Sequence, residues 1–217
     1  MDFAELAELV KTRRSIRQWQ DRDVPDEVIT RALELAVWAP NGGNRQPWRF
    51  LVIKNRALIG RMADAVRAAT DLMASWPEAR ELGPTVQRWR VTSDFFRQAP
   101  VCVAVLVGNY ESMADRLLAL RGTGDPAARD MQEARRLGSS RLQSAAAAIM
   151  QLLLALHLQG LGSCWMTGPQ QAKAEIERIL AVPPDVHFIA LIPVGYPAGT
   201  PKPGWRRPLE EVVQFYR

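Results

Sequence analysis

Arg13-Arg14-Ser15-Ile16-Arg17 sets three guanidiniums and a hydroxyl within five residues. Guanidinium forks take phosphate oxygens in pairs and a serine hydroxyl adds a neutral donor, so the stretch can hold a phosphate and leave one arginine to reach further along a ligand. Arginine supplies 24 of the 28 basic residues, so composition alone could also produce the run. Three other stretches favour the functional reading: a Gly/Asn loop from Asn41 to Asn44, a small-residue turn from Gly160 to Gly168, and the basic pair Arg206-Arg207.

Other chemistries find less support. Gly160-Leu161-Gly162 is half of a dinucleotide fingerprint, but it follows a helical pattern rather than a strand and lacks the third glycine. No Walker A sequence occurs. His157 and His187 have no cysteine or carboxylate at ligand spacing, and no elbow sequence supports a serine nucleophile. By elimination, the chemistry is expected from an organic cofactor.

The chain has 217 residues, 47% of them apolar, enough for one domain with a sizeable core. A formal charge of +5 favours anionic partners. The positive charge is spread along the chain, which suits a phosphorylated small molecule better than nucleic acid. Cys102 and Cys164 form no redox motif and read as reduced core thiols. The N-terminus has no basic region followed by an apolar run, and Ala145 to Leu158 is too short to span a bilayer, so a cytoplasmic protein without membrane attachment is expected.

The elements that position these residues follow from spacing. Asp2 and Glu5 read as a capping box for a helix to about Thr12, which delivers the arginine stretch at its C-terminal end. A second helix starts near Pro25, carries Val28, Ile29, Leu33, Ala36 and Val37 on one face, and stops before Pro40. Arg49 to Lys54 reads as a buried strand, and Asn55 caps a helix to about Ala69. Asp71 to Arg97 reads as broken helix under loops, with Trp76 and Trp89 packed there. Val101 to Val107 is a second buried strand, followed by a polar, mobile insertion from about 110 to 140 that could cover a site. Ser139 or Ser140 caps an apolar helix to about Gln159, buried or placed in a subunit interface, with Gly160 after its end. A tight strand and turn at 161–168, a short helix begun by Pro169, a strand from His187 to Val194 and a Pro/Gly-rich arm from about residue 196 complete the chain. Unequal helical stretches between the strands fit an α+β sandwich with a small central sheet better than a doubly wound fold.

Taken in order, Arg13-Arg14-Ser15-Ile16-Arg17, Ala39-Pro40-Asn41-Gly42-Gly43-Asn44-Arg45-Gln46-Pro47-Trp48, Gly160-Leu161-Gly162-Ser163-Cys164-Trp165, Ile192-Pro193-Val194-Gly195-Tyr196-Pro197 and Arg206-Arg207-Pro208 resemble the FMN-dependent nitroreductase family over nearly the whole chain. The resemblance implies a mainly antiparallel sheet flanked by helices and an intertwined homodimer. Two FMN sites would lie at its interface, and the terminal arm would embrace the partner. By position, Arg13, Arg14 and Ser15 would hold the FMN phosphate and ribityl chain, helped by Arg206 or Arg207. Arg17 would lie near the pyrimidine edge of the flavin, where a cation stabilises the charge that two-electron reduction leaves. Pro40, Asn41, Asn44 and Gln46 would reach the ring from the other subunit, while Met166, Thr167 and Gly168 would face its remaining side, with the Thr167 N–H toward N5. The chain departs from the family pattern at Asn41, where serine is commoner, and at Trp19, where phenylalanine or tyrosine is usual.

The activity so implied is transfer of two electrons from NAD(P)H to an electron-poor acceptor, a nitroaromatic or quinone, by a ping-pong cycle. Reductive dehalogenation or oxygen-dependent flavin breakdown on the same fold is an alternative, with the arginines of the 110–140 insertion gripping a carboxylate or simply facing solvent. A flavin-storing or nucleic-acid-binding protein without turnover is the non-enzymatic alternative.

Overall fold

In the computed structural model, which describes residues 2–217, β1 (Trp48–Ile53), β2 (Val101–Gly108), β3 (Gly162–Ser163) and β4 (Val186–Gly195) form one antiparallel sheet in the order β1-β2-β4-β3. The central strands β2 and β4 are apolar on both sides because both sides are covered. Cys102, Ala104 and Leu106 of β2 face one core, and Val101, Val103 and Val105 face another. Along β4, Val186 and Phe188 join the first core but Ala190, Ile192 and Val194 join the second. The switch follows from a bulge: Val105 pairs with Ala190 but Leu106 with Phe188, leaving Ile189 as the extra residue.

Helices close both faces, giving the expected α+β sandwich around a small antiparallel sheet. On one side α3 (Arg56–Ser75) and α8 (Lys173–Ile179) bury Ile59, Met62, Val66 and Ile176. On the other, α2 (Asp26–Ala36) and α7 (Ser140–Leu158) bury Ile29, Ala32, Ala36, Ile149, Leu152 and Leu156. Asn55 caps α3 by accepting from the Ala57 and Leu58 N–H groups. Gly160, at φ +77°, ends α7 while the Leu161 N–H returns to the Leu156 carbonyl. The helical stretch Pro126–Leu158 has the length and apolarity to cross a membrane, but 44% of its most apolar window is buried inside the fold. Packing of α7 against α2 and the sheet accounts for that apolarity.

Several expectations need correction. Helix α3 runs to Ser75 rather than stopping near Ala69, because Thr70, polar in sequence, is fully buried with its hydroxyl donated to the Val66 carbonyl. Residues 71–97 are more helical than their pattern suggests: two prolines that read as breaks occupy first helical positions, where a missing N–H costs nothing. Pro77 opens a 3-10 segment to Leu82, and Pro84 opens α4 (Pro84–Thr92). Trp76 is 48% exposed rather than packed. The polar insertion is a helical hairpin, α5 (Met113–Arg121) and α6 (Pro126–Leu137), tied by Arg135–Asp115 and Arg121–Asp125 ion pairs. Ser139 sits at the N-cap of α7 but makes no capping hydrogen bond.

The short β3 strand matters most for the site. A Cβ at Gly162 would stand 2.6 Å from Ile16 Cγ1 and 2.8 Å from its Cβ, so the strand and the arginine segment approach more closely than any side chain permits. Gly162→Ala is expected to destabilise the fold by about 1–3 kcal/mol through overpacking, read as a lower denaturant midpoint. A midpoint equal to wild type would show that the contact is not tight.

Candidate functional site

Helix α1 (Phe3–Thr12) begins with the capping box that its sequence suggested, Asp2 and Glu5 each accepting the other's N–H. After Thr12 the chain becomes extended and is fastened to the sheet edge. Ser15 bridges Ser163 in parallel, the Ile16 N–H donates to the Ser163 carbonyl at 2.9 Å, and the Trp19 indole N–H donates to the Gly162 carbonyl at 2.9 Å. The Gln20 N–H donates to the Tyr196 carbonyl just after β4. These bonds fix the backbone from which the arginines project.

They project into a cleft of about 700 Å³. Arg13, Arg14, Ser15 and Arg17 form one wall, Thr92 and Phe95 a second, and Thr200, Lys202 and Arg206 of the arm a third. No carboxylate among the described residues lines it. Nine arginines elsewhere among the described residues pair with Asp or Glu. Among the described residues, none of the cleft's arginines, nor Lys202, does so. Arg13 Nε is buried with no hydrogen-bond partner. Burial, then the charges of Arg206 and Arg14, hold the Arg13 guanidinium below its usual basicity, yet an arginine does not lose its proton for this. An anion with several acceptor oxygens relieves both the unpaired Nε and the repulsion, so these residues fit a phosphate monoester.

The floor is set from a distance. The Asp94 carboxylate, largely buried, receives Arg67 Nη2 at 2.8 Å and Nε at 3.3 Å, and Arg97 Nη2 at 3.5 Å. Removing one partner of such a pair leaves a costly bare charge, so it pins the turn that carries Phe95 to α3. Phe95 stacks on Trp19 with centroids 6.1 Å apart, and the Arg17 guanidinium lies 5.9 Å from the Phe95 ring centre. Behind the arginines, the Thr12 hydroxyl donates to the Glu8 carbonyl at 2.7 Å and lies 3.0 Å from His157 Nε2. With its only hydrogen so used, the hydroxyl accepts from an Nε2–H, which assigns the tautomer.

The structure therefore brings together Arg13, Arg14, Ser15, Arg17 and Arg206, and leaves Arg207 outside the lining. Pro40, Asn41, Asn44 and Gln46 lie elsewhere, on a loop anchored near α7 by the Gly42 N–H and Ser144 hydroxyl. The Asn41 amide is spent on its own loop, accepting from the Gln46 N–H and donating to the Ala39 carbonyl. Asn44 and Gln46 hold φ of +50° and +47°, a backbone state that side chains rarely adopt and that clusters at functional sites. Met166 is buried by a two-bond bridge to Leu191, which leaves Thr167 and Gly168 exposed at the next turn. None of Met166, Thr167 and Gly168 lines the cleft of a single chain. Thr92, Phe95, Thr200 and Lys202 were missed; only Lys202, one of four lysines in the chain and set in the Pro/Gly-rich arm, carried a signal.

A helix-covered antiparallel sheet with an arginine-lined anion cleft at its edge defines a class of fold and site that comparison with known proteins identifies. The Nitroreductase family profile matches residues 10–196, and the chain belongs to that family. It is 29% identical over 220 residues to the NADH dehydrogenase of Thermus thermophilus, covering 93% of this chain and 91% of that protein. Among solved structures it is similar to a BluB-like flavoprotein from Clostridium difficile 630, with a TM-score of 0.85, 27% identity and both chains covered completely. It is also similar to an iodotyrosine deiodinase bound to FMN and 3-iodo-L-tyrosine, at TM-score 0.71 and 26% identity over 98% of each chain.

Burial, Arg13 and Arg14 lower the His157 pKa below 6.5. The unfolded chain then binds more protons than the folded one as pH falls past that value, so this stability is complete above about pH 6.5 and lost on acidification. His157→Gln is expected to flatten the dependence of the urea midpoint on pH between about 5 and 7 relative to wild type. An equal slope in both proteins would remove His157 as its source.

Proposed function

We propose that the protein is an FMN-dependent oxidoreductase that takes two electrons from NAD(P)H and gives them to an electron-poor acceptor such as a nitroaromatic or quinone. The observation that carries this reading is the carboxylate-free cluster of Arg13, Arg14 and Arg206 around the unpartnered Arg13 Nε. Bound FMN supplies a carrier that accepts a hydride from a nicotinamide and passes two electrons on, so donor and acceptor can use one site in turn. Arg13, Ser15 and Arg206 hold the phosphate; Arg17, beside Phe95, places a positive charge where the flavin becomes electron-rich. No side chain need act as acid or base, since the chain's work is to orient, to stack and to set the local charge.

A homodimer completes the site in this reading. It is supported by apolar surface that a single chain leaves bare: Phe3, Leu6 and Val10 along α1, Leu35 and Trp38 at the end of α2, and Trp205, Leu209, Phe215 and Tyr216 on the arm. A partner would bring Asn41, Asn44 and Gln46 to the face of the flavin that the arginine cleft leaves open. Dehalogenation, suggested by the likeness to the deiodinase, would fall to fewer of the insertion's arginines than their number implies. Arg121, Arg135 and Arg136 are already paired with Asp125, Asp115 and Glu133, whereas Arg116 and Arg129 make no ion pair among the described residues.

Purified protein is expected to show flavin absorbance that bleaches when NADPH or NADH is added without oxygen. A colourless protein that takes up no FMN would overturn the reading, and bands that persist would exclude NAD(P)H as donor. The double variant Arg13→Ala/Ser15→Ala is expected to lose FMN affinity by more than about tenfold, roughly the 1.4 kcal/mol of one charged hydrogen bond, with a lower melting temperature at fixed FMN. Full occupancy in that variant would sink the phosphate assignment. Arg17→Ala is expected to lower the midpoint potential while FMN affinity changes little; an unchanged potential in an anaerobic redox titration would separate Arg17 from the ring.

A further inference from the structure

The arm beyond Ala198 has a singular connection to the body. Up to that residue it is held by backbone hydrogen bonds, the Ala198 N–H donating to the Gln18 carbonyl at 3.1 Å and the Gln20 N–H to the Tyr196 carbonyl at 2.9 Å. From Gly199 to Arg217, among the described residues, one hydrogen bond reaches back to the rest of the chain: Arg14 Nε donates to the Lys202 carbonyl at 3.3 Å. The guanidinium that makes it is fixed from its other end, Nη1 donating to the carbonyls of Lys11 and, at 2.7 Å, Arg13. Gly204 packs against the same group, a Cβ there falling 3.0 Å from Arg14 Cζ and 3.1 Å from Nε. Yet Lys202 and Arg206 line the anion cleft from this segment.

We infer that Arg14 is a positioning residue that clasps the C-terminal arm, and that Lys202, delivered by this clasp, is a phosphate-binding residue of the cleft. Two of Arg14's three nitrogens are committed to three backbone carbonyls, so its fork is largely unavailable to an anion. Three carbonyls in fixed directions suit a planar guanidinium and not an ammonium, which makes the position intolerant of lysine. The clasp leaves Arg13, Arg206 and Lys202 as the charges facing the anion, two of them on a segment that, within one chain, a single side chain retains. The inference deepens the FMN reading and rests on it.

The test uses full-length apoprotein, with FMN and riboflavin as ligands that differ only in the phosphate, and trypsin as a probe of the arm. Trypsin cuts the arm after Arg206, because Lys202 and Arg207 each precede proline. Wild type is expected to bind FMN more tightly than riboflavin. Lys202→Met is expected to lose about tenfold in FMN affinity, as for one charged contact, with riboflavin affinity and the cleavage rate unchanged. Arg14→Ala is expected to speed cleavage and to lower FMN affinity alone, Arg14→Lys not to rescue it, and Arg14→Ala/Lys202→Met to lose no more than Arg14→Ala. Should Arg14→Ala misfold, Gly204→Val loosens the same contact from the exposed arm and is expected to behave alike. Unchanged arm cleavage in Arg14→Ala or Gly204→Val, or losses that multiply in the double variant, would overturn the clasp. A wild type that binds both flavins equally would overturn the phosphate role while keeping the flavin, and one that binds neither would overturn the cofactor reading itself.

Discussion

Like charges brought together without a counter-charge are the constraint on which the rest of this structure turns. Arg13, Arg14 and Arg206 crowd one cleft, and burial adds to their mutual repulsion on Arg13. Such an arrangement persists only because something stiffer imposes it. Here that is the sheet edge: the Ser15–Ser163 bridge, the Ile16 and Trp19 hydrogen bonds and the close approach over Gly162 hold the backbone wherever the side chains would prefer to be. The two middle strands, with their cores on both faces, make that edge rigid. The destabilisation is local, and an anion relieves it, so affinity for a phosphate is stored in the folded state before any ligand arrives.

The same logic separates two kinds of arginine in the chain. Arg67 and Arg97 meet the buried Asp94 and serve the fold, and Arg135 and Arg121 staple the α5–α6 hairpin. Among the described residues, the cleft arginines meet no carboxylate. Arg14 stands between the groups, lining the cleft while donating to backbone carbonyls. Sequence alone treats Arg13 and Arg14 as equivalent neighbours, whereas the extended backbone after Thr12 turns one into the cleft and the other toward the arm.

Much of the fold was legible because its signals are local. The capping box at Asp2 and Glu5, the Asn55 cap, the Gly160 stop and the apolar run of β2 each act within a few residues. What escaped depends on partners far along the chain. Thr70 extends α3 because Gln171 and Val66 satisfy it inside, and the prolines at 77 and 84 open helices only because the residues around them pack. The bulge at Ile189 changes which side of β4 faces which core without altering its composition. At the site, the Arg13–Arg17 run announced itself by charge density, whereas Phe95 and Thr92 reach the cleft from segments separated from it by α2, β1 and α3. Family resemblance placed Asn41, Asn44 and Gln46 at the flavin from a second chain, and one chain keeps them apart from the arginines.

In the proposed reading, the arginine cleft holds the flavin phosphate as a dianion. The phosphorus NMR shift of bound FMN, followed from about pH 5 to 8, tests it most directly, because a phosphate monoester's second pKa near 6 falls inside that range. The shift is expected to stay at its dianionic value throughout, since neighbouring guanidiniums favour the charged form. A bound signal that titrates as free FMN does would place the phosphate in solvent, away from the arginines.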